Sequence, residues 1–273
     1  MQLTPITPTI GVEVAGVDLG SDLDDETIAA LRRAFLDHHV VVFRDQDLDR
    51  ERHKAFGRLF GELHVHPSKK TFGVGGDPEI FVVETTERSR HNNGGRWHMD
   101  LSCEEVPPLG SMLLLTDAPP SGGDTLFASM HAAYESLSEP VRTLLDGLTA
   151  FHDGLQDLRW YGIRPKAGQT YPATSHPVVV RHPDTGRPLL FVNEAFTSHI
   201  EDMSERESAG LLAILFDHIS SNPAIQCRVQ WEPGTLTFWD NRCTQHFAVW
   251  DYAPHHRRGE RVSICGSVRP SGV

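Results

Sequence analysis

A His-x-Asp pattern, which can supply two ligands to one metal ion, occurs twice in this chain. His98 and Asp100 form the first copy, and His182 and Asp184 form the second. Side chains two residues apart on a strand share a face, so His98 and Asp100, in a strand predicted over residues 97–101, could bind one ion together. In the second copy the aspartate opens a predicted hairpin turn, and the intervening proline cannot donate to a sheet ladder. We interpret this second copy as part of a turn.

His246 is the candidate for a third ligand, because it follows a hydrophobic strand and lies far from the first pair in sequence. Two histidines and one carboxylate on one side of an octahedral ion leave three positions open, which is the arrangement of non-haem Fe(II) oxygenases. The alternative is a core histidine that is hydrogen-bonded to the backbone. The spacing alone leaves both interpretations open.

Basic residues are concentrated in segment 255–261, which carries two histidines and three arginines in a chain of net charge −12. We expect His255, His256 and Arg258 to lie in a solvated loop. Arg261 lies on the predicted closing strand, residues 260–266, where alternate side chains share one face. If that face lines the interior of a barrel, a buried Arg261 requires an anion beside it.

The overall charge excludes some classes of partner. The chain has 25 Lys and Arg against 37 Asp and Glu, which argues against nucleic acid or an anionic membrane as the main partner. The first 20 residues show no secretory signal pattern, and the longest apolar runs are far shorter than the ~20 residues that span a bilayer. Four scattered cysteines without a CxxC pair are typical of reduced thiols. We expect a cytoplasmic protein whose other histidines, of 16 in total, lie mostly in surface or turn positions.

Short strands with flanking helices must position these side chains. The chain shows no linker or repeat, so we expect one domain, residues 1–273, with a jelly-roll or barrel architecture. Helix signals cover 28–39, 50–60, 129–136, 138–147 and the segment after the capping box of Ser204 and Glu207. Strand signals cover 11–17, 40–43, 79–83, 97–101, 111–116 and 260–266, with predicted hairpins 176–181/188–193 and 227–231/235–239.

Taken together, the order and spacing of these motifs resemble the TauD/TfdA family of Fe(II)- and 2-oxoglutarate-dependent dioxygenases, which includes taurine dioxygenase. The resemblance rests on His98-x-Asp100, Gly122-Gly123-Asp124-Thr125, Asp240-Asn241-Arg242-x-x-x-His246, and Arg257 and Arg261 placed 11 and 15 residues after that histidine. It extends from about residue 16 to the final strand. It implies a mainly β fold with flanking helices and a double-stranded β-helix core, also called a jelly roll or cupin-like core.

The resemblance also implies roles for individual residues. His98, Asp100 and His246 correspond to the iron ligands of the family. Thr125 and Arg257 correspond to the residues that hold the distal carboxylate of 2-oxoglutarate. This assignment agrees with the chemistry of the side chains, because a guanidinium group pairs with a carboxylate through two hydrogen bonds and threonine adds one hydroxyl donor.

The implied substrate pocket departs from the family at two positions. Arg261 corresponds to the residue that contacts the substrate's own anion, and His66 and Phe196 match further pocket positions. Lys69 stands where the family has a tyrosine, and Gly94 stands where it has an asparagine. We expect Lys69 to add charge at the pocket mouth and Gly94 to open space. The resemblance therefore implies a small anionic organic substrate and makes taurine itself a poor candidate.

The implied reaction consumes O2 and 2-oxoglutarate, releases succinate and CO2, and hydroxylates a C–H bond of the substrate. A hydroxylated carbon that also carries a heteroatom, as in a sulfonate, sulfate ester or aryloxy acid, would fragment. Two alternatives remain: a zinc hydrolase, which would not need Arg257 and Thr125, and a non-catalytic jelly-roll binding protein, which would need no metal ligands. The family often forms dimers or tetramers, so a homodimer or homotetramer is the assembly to test.

Overall fold

The computed structural model describes residues 1–72 and 75–273, and within them it contains sixteen strands and seven α-helices. The strands are β1 (Gln2–Pro5), β2 (Val12–Ala15), β3 (Val40–Phe43), β4 (Phe81–Thr85), β5 (Gly110–Asp117), β6 (Thr125–Ser129), β7 (Thr149–Asp153), β8 (Ala173–Pro177), β9 (Val179–Arg181), β10 (Pro188–Leu190), β11 (Thr197–Ile200), β12 (Gln226–Val229), β13 (Leu236–Asp240), β14 (Thr244–Ala248), β15 (Arg257–Ile264) and β16 (Ser271–Gly272). The helices are α1 (Asp25–His38), α2 (Arg50–Arg58), α3 (Pro67–Phe72), α4 (Met130–Glu135), α5 (Glu139–Leu145), α6 (Gly154–Trp160) and α7 (Glu205–Ser220), with a short 3-10 helix at Pro223–Ile225.

A seven-stranded sheet in the order β1-β2-β3-β13-β5-β15-β4 forms the centre of the fold. Helices α1 and α2 cover one of its faces, where Phe35 of α1 stacks on Phe238 of β13 with ring centroids 4.1 Å apart. The opposite face packs against a three-stranded sheet, β12-β6-β14, through a buried cluster that includes Phe127 and Trp239. Two further three-stranded sheets, β11-β7-β8 and β10-β9-β16, complete the β structure of the described residues. The chain is therefore sheet-rich, with helices on its flanks.

Local signals predict several elements correctly. The predicted strand 40–43 is β3, and the capping box of Ser204 and Glu207 opens α7 with both of its hydrogen bonds present. The turn at 184–186 joins β9 to β10 in an antiparallel hairpin. These features depend on neighbours in sequence, because capping and turn chemistry act over two to four residues.

The predicted hairpin of residues 227–231 and 235–239 is wrong. Strand β12 pairs with β6 in the three-stranded sheet, whereas β13 pairs with β3 and β5 in the seven-stranded sheet. The turn at Pro233-Gly234 therefore carries the chain from one sheet to the other. An alternating apolar pattern shows that a strand buries one face, but it does not show which strand lies beside it.

Two predicted strands also have different limits. The segment 176–181 is split between β8 and β9, and the closing strand β15 begins at Arg257 and not at residue 260. The predicted strand 97–101 is absent, since only His98 makes a single β-bridge there, to His246. Within the described ranges, no helix has both the length and the apolar character needed to cross a membrane.

Candidate functional site

The three residues of the predicted metal site lie together between the two packed sheets. The ligand atoms of His98, Asp100 and His246 lie within 4.8 Å of one another. The two imidazole centroids are 4.0 Å apart, and Nε2 of His98 is 3.8 Å from Oδ1 of Asp100. Backbone hydrogen bonds run in both directions between the two histidines, at 3.1 and 2.9 Å. This bridge joins the loop before residue 98 to β14.

Asp100 reaches the cluster from a turn and not from a strand. Leu101, the next residue, has a φ of 51°, and the chain turns away directly after the carboxylate. Asn241 holds this turn in place, because its side chain accepts from the Asp100 N–H at 2.7 Å and donates to the Asp100 carbonyl at 2.9 Å. The expected pairing of the His and Asp side chains is therefore present, but a turn and Asn241 produce it.

The protonation states of the cluster suit a cation. The Nδ1 atom of His98 lies 2.7 Å from the carbonyl oxygen of Arg96 and must donate to it, so Nε2 is the nitrogen left to face a metal ion. Burial and the neighbouring His98 hold the pKa of His246 well below its usual range, so this imidazole is neutral. Burial alone would raise the pKa of Asp100, but Arg261, the two histidines and Ser111 outweigh it and lower that pKa. The cluster therefore offers an ionised carboxylate, a neutral His246 and the Nε2 atom of His98.

Arg261 is buried, and its anion is Asp100. Its Nη1 atom donates to Oδ1 of Asp100 at 2.5 Å, while Ser111 donates to the other carboxylate oxygen at 2.9 Å. The guanidinium carbon lies 4.9 Å from the centroid of the Phe81 ring, and Nε is buried without a hydrogen-bond partner among the described residues. The sequence-based requirement for an anion is confirmed, and a side chain of the protein meets it.

Arg257, at the start of β15, is 4% exposed and has no ion-pair partner in the described part of the chain. Its Nε donates to the Gly123 carbonyl at 3.0 Å, its guanidinium lies over Trp231, and its Nη2 is buried and unpaired. Burial lowers the pKa of this guanidinium. Thr125 accepts a hydrogen bond from the Trp231 indole at 2.9 Å, which leaves its own hydroxyl proton free to donate. A buried cation and a free hydroxyl are thus both available to an anionic ligand.

The three candidate metal ligands, both arginines and Thr125 line one cavity of about 200 Å³ between the sheets. The predicted site residues found on its wall are His66, Gly94, His98, Asp100, Thr125, Phe196, His246, Arg257 and Arg261. His66 has its pKa lowered to about 3 by burial and by the nearby Arg261. Its Nδ1 accepts from the Ser68 N–H at 3.2 Å, so the ring proton is on Nε2. The cavity therefore offers hydrogen-bond donors close to its metal-ligand cluster.

Lys69 is the one predicted site residue that does not line this cavity in the described structure. Its ammonium group donates to the Asp77 carbonyl oxygen at 2.5 Å. The amine is therefore held outside the cavity wall, but its charge still acts on the cavity, since Lys69 contributes to the lowered pKa of His66.

Gly94 does not open space in the way that the sequence suggests. Its φ of 85° favours glycine, and a Cβ there would lie 3.2 Å from Cε1 of His98. Its N–H donates to the hydroxyl oxygen of Tyr161 at 2.9 Å. The space beside Gly94 is therefore filled by a histidine ring and a tyrosine.

Asp157 and Tyr161 are cavity residues that the sequence patterns do not indicate. Both belong to the α6 region, where no motif marks a functional role. Burial raises the pKa of Asp157, and the Asp157 side chain has no hydrogen bond to the described residues. Burial also raises the pKa of Tyr161 to about 12. Only the approach of α6 to the loop before His98 brings them to the cavity.

Comparison with known proteins identifies the family. The model of the taurine catabolism dioxygenase TauD, TfdA family matches residues 2–263. An alpha-ketoglutarate-dependent sulfate ester dioxygenase from Pseudomonas putida is 35% identical, over 100% of this chain and 92% of the relative. An alkylsulfatase from Acinetobacter baylyi is 34% identical over 98% and 86%. A taurine dioxygenase crystal structure from Burkholderia xenovorans has a TM-score of 0.84 and 35% identity, and the match covers 99% of this chain and 92% of that one.

A family match of this length sets aside the zinc hydrolase and the non-catalytic binding protein. Alpha-ketoglutarate is another name for 2-oxoglutarate, and the enzymes of this class use it together with Fe(II) and O2. The chain belongs to the TauD/TfdA family and is a 2-oxoglutarate-dependent dioxygenase.

Proposed function

We propose that this enzyme hydroxylates a C–H bond of a small anionic organic substrate of the sulfonate, sulfate ester or carboxylate class. The reaction converts substrate, O2 and 2-oxoglutarate into hydroxylated product, succinate and CO2. The observation that carries the proposal is the pair of buried arginines, Arg257 and Arg261, on the wall of the cavity that contains His98, Asp100 and His246. Arg257 has no anion among the described residues, which is costly for a buried arginine. Arg261 pairs with Asp100 but keeps a buried Nε without a partner among those residues.

His98, Asp100 and His246 are the proposed Fe(II) ligands. The donor set fits, since two imidazoles and one carboxylate converge. The Arg96 carbonyl orients the ring of His98 by accepting from Nδ1, as hydrogen-bond partners of metal ligands do. Fe(II) held there would supply the redox chemistry that couples 2-oxoglutarate decarboxylation to hydroxylation. With three protein ligands, an ion held there would keep positions free for the cosubstrate and O2.

Arg257 and Thr125 are the proposed contacts of the distal carboxylate of 2-oxoglutarate. The unpaired Nη2 of Arg257 and the free hydroxyl proton of Thr125 lie beside Trp231, which contacts both side chains. The indole and the strands behind it exclude water from this end of the cavity. A charged hydrogen bond in such surroundings is stronger than in water.

Arg261, His66 and Phe196 are the proposed contacts of the substrate. Arg261 keeps Nε free while Nη1 binds Asp100, so one guanidinium group links the substrate anion to a proposed iron ligand. His66 offers an Nε2 proton, and Phe196 supplies an apolar wall. Gly94 shapes the wall next to His98, and Lys69 has no place in this contact set. Because two relatives are a sulfate ester dioxygenase and an alkylsulfatase, sulfate esters are the first substrates to test.

The proposal also covers the core fold, the cellular location, the oligomeric state and the partners. We propose a double-stranded β-helix core in one domain, residues 1–273, which the facing of the seven-stranded sheet by β12-β6-β14 supports. A cytoplasmic location and a homodimer or homotetramer are also proposed. The net charge of −12 supports the absence of nucleic-acid or membrane partners.

Anaerobic addition of Fe(II) and 2-oxoglutarate tests the function directly. We expect a visible charge-transfer band, and succinate after O2 is admitted, with release coupled to loss of substrate from a panel of alkyl sulfates, sulfonates and aryloxyalkanoates. Absence of both the band and succinate would overturn the proposal.

A matched pair of aspartate variants tests the site. We expect Asp100→Ala to abolish succinate formation, because it removes a proposed ligand, and Asp184→Ala to retain it. Asp184 belongs to the other His-x-Asp copy, where it lies in the β9–β10 turn and pairs with Arg242 at 2.7 Å. Equal loss in both variants would contradict the assignment.

A further inference from the structure

A second group of potential metal ligands lies away from the cavity, where α1, α4 and the turn between β13 and β14 meet. One ligand atom from each of His39, His131 and Cys243 lies within 4.8 Å of the other two. The three residues are between 0% and 3% exposed. None of them lines the cavity that contains Arg257 and Arg261.

Each histidine of this group has one buried nitrogen without a hydrogen-bond partner among the described residues. Nδ1 of His131 lies 2.8 Å from the Pro188 carbonyl oxygen and must donate to it, so Nε2 carries a lone pair. Nε2 of His131 and Nδ1 of His39 are both buried and make no hydrogen bond to the described residues. Cys243 Sγ makes only a long thiol contact, 3.9 Å, to the Asp240 carbonyl. Buried polar atoms are normally paired, so two such nitrogens beside one thiol indicate a missing ligand.

The adjacent His182 and Asp240 are, in contrast, already satisfied. Nδ1 of His182 accepts from the N–H groups of Asp184 and Thr185 at 3.3 Å, so Nε2 donates to the Asp240 carboxylate at 3.0 Å. Arg242 donates to both oxygens of the same carboxylate at 2.8 and 2.7 Å. His182 therefore has no lone pair to offer, and Asp240 remains as a nearby negative charge.

Backbone hydrogen bonds hold the three free side chains in position. The Asp240 N–H donates to the His39 carbonyl at 2.8 Å, and the Met130 N–H, at the start of α4, donates to the Cys243 carbonyl at 2.9 Å. Both bonds end on the same short turn, residues 240–243. The donor atoms are thus held by main-chain contacts that do not depend on a bound ion.

The protonation states match those that a metal needs. Burial lowers the pKa of His39 to about 3, with a contribution from His131, and lowers the pKa of His131 to about 4. Both rings are therefore neutral, which is the form that binds metal. Burial and Asp240 raise the pKa of Cys243, so the free protein holds a thiol.

We propose that His39 Nδ1, His131 Nε2 and Cys243 Sγ bind a zinc ion at a second site, away from the cavity. Imidazole and thiolate together are the donors that Zn²⁺ prefers. On binding, the Cys243 S–H bond breaks, a Zn–S bond forms, and the proton passes to the solvent. We expect Zn–N distances of about 2.0–2.1 Å and a Zn–S distance of about 2.3 Å in the occupied site. The alternative is a metal-free core in which the thiol and imidazoles simply pack together.

Cobalt(II) distinguishes these two cases, because a thiolate ligand to Co²⁺ gives a near-ultraviolet charge-transfer band. The proposed iron ligands include no cysteine, so occupancy of that site cannot produce the band. We expect wild-type protein to bind two equivalents of Co²⁺ and to show the band, and zinc to displace the signal. One equivalent without a thiolate band would overturn the proposal.

Variants assign the band to this cluster. We expect Cys243→Val and His131→Leu each to lose the band and one equivalent of metal, while the proposed iron site still binds Fe(II). Cys227→Val is the control, since Cys227 is 3% exposed in the core between the sheets and its pKa is raised by burial alone. If Cys243→Val fails to fold, His131→Leu makes the same test with all four thiols present. A band that survives either cluster variant, or that is lost with Cys227, would contradict the assignment. The proposal does not depend on the identity of the substrate.

Discussion

Arg257 and Arg261 lie four residues apart on β15, yet their surroundings differ. Arg261 is already paired with Asp100, whereas Arg257 contacts only a carbonyl and an indole. An unpaired buried guanidinium is costly unless a ligand supplies the anion. At the residue scale, Arg257 is therefore the side chain on which 2-oxoglutarate affinity should depend most.

The first prediction concerns Arg257→Met. We expect the Kd for 2-oxoglutarate to rise about 10- to 100-fold, because a charged hydrogen bond contributes about 1.5–3 kcal/mol. Anaerobic titration of the charge-transfer band measures this Kd.

The matched control is Arg258→Met, one residue along the strand. Arg258 is half-buried and donates to Glu260 at 2.6 Å, on the other side of β15. The Kd of this variant for 2-oxoglutarate should stay within about twofold of the wild-type value, because alternate residues of a strand face opposite ways. A similar loss in both variants would show that charge in general, and not the position of Arg257, controls affinity.

The sequence does not show which histidines are buried. Of the 14 histidines outside the proposed iron site, six are buried, so the expectation that they lie mostly at the surface or in turns holds only for a small majority. Among the described residues, the buried ones outside the proposed iron site are His39, His53, His131, His152, His176 and His182. A neutral imidazole packs as an aromatic ring, as His152 does with its centroid 5.6 Å from that of Phe191. Composition does not reveal this state, because burial itself lowers the pKa that keeps the ring neutral.

At the scale of elements, α2 is attached to the seven-stranded sheet by an ion pair. Arg50, the first residue of α2, donates from Nε and Nη2 to both carboxylate oxygens of Glu260 on β15, each at 2.7 Å. This hydrogen bond and that of Arg258 lower the pKa of Glu260. The contact fixes the helix beside the strand that carries Arg257 and Arg261.

The second prediction concerns Glu260→Gln. We expect the free energy of unfolding to fall by about 1 kcal/mol at pH 7, a modest value because Arg50 is partly exposed. A lowered carboxyl pKa stabilises the protein above the unfolded pKa of about 4.3 and loses its effect as pH falls through the folded value. The difference between variant and wild type should therefore shrink below about pH 4, as denaturant unfolding at several pH values can measure.

Glu105→Gln provides the control for this prediction. Glu105 is exposed and lies 3.4 Å from an exposed Arg269. Loss of its charge should therefore change the free energy of unfolding by less than about 0.5 kcal/mol at any pH. If the difference in unfolding free energy between Glu260→Gln and wild type stays the same from pH 7 to pH 3, the charge of Glu260 is not the source of the lost stability.

For the whole molecule, distant parts of the chain share one sheet. Strand β13 pairs with β3, and β1 joins the same sheet as β15. We expect the single proposed domain to unfold in one transition, with tryptophan fluorescence and far-ultraviolet circular dichroism giving the same midpoint. Two separate midpoints in metal-free protein would contradict the single domain.

The net charge of the whole molecule does not predict whether the cavity binds small anions. A value of −12 argues against nucleic acid, yet the proposed function requires two anions in one cavity. Buried Arg257 and Arg261 meet this requirement because charges in a poorly hydrated cavity are screened far less than surface charges. The position of a few cations therefore decides small-ligand binding, whatever the total charge.

The sequence by itself determined which side chains could act, the order in which they occur, and the helices and turns that depend on near neighbours. His98, Asp100 and His246 were candidate metal ligands by their types and spacing, Arg257 was assigned through the family resemblance, and the structure brings all four to one cavity. Only the tertiary structure decided that β12 and β13 lie in different sheets, that Lys69 bonds a backbone carbonyl, and that α6 contributes Asp157. The reason is that caps and periodicity act over a few residues, whereas strand partners and cavity walls depend on which surfaces the whole chain buries together.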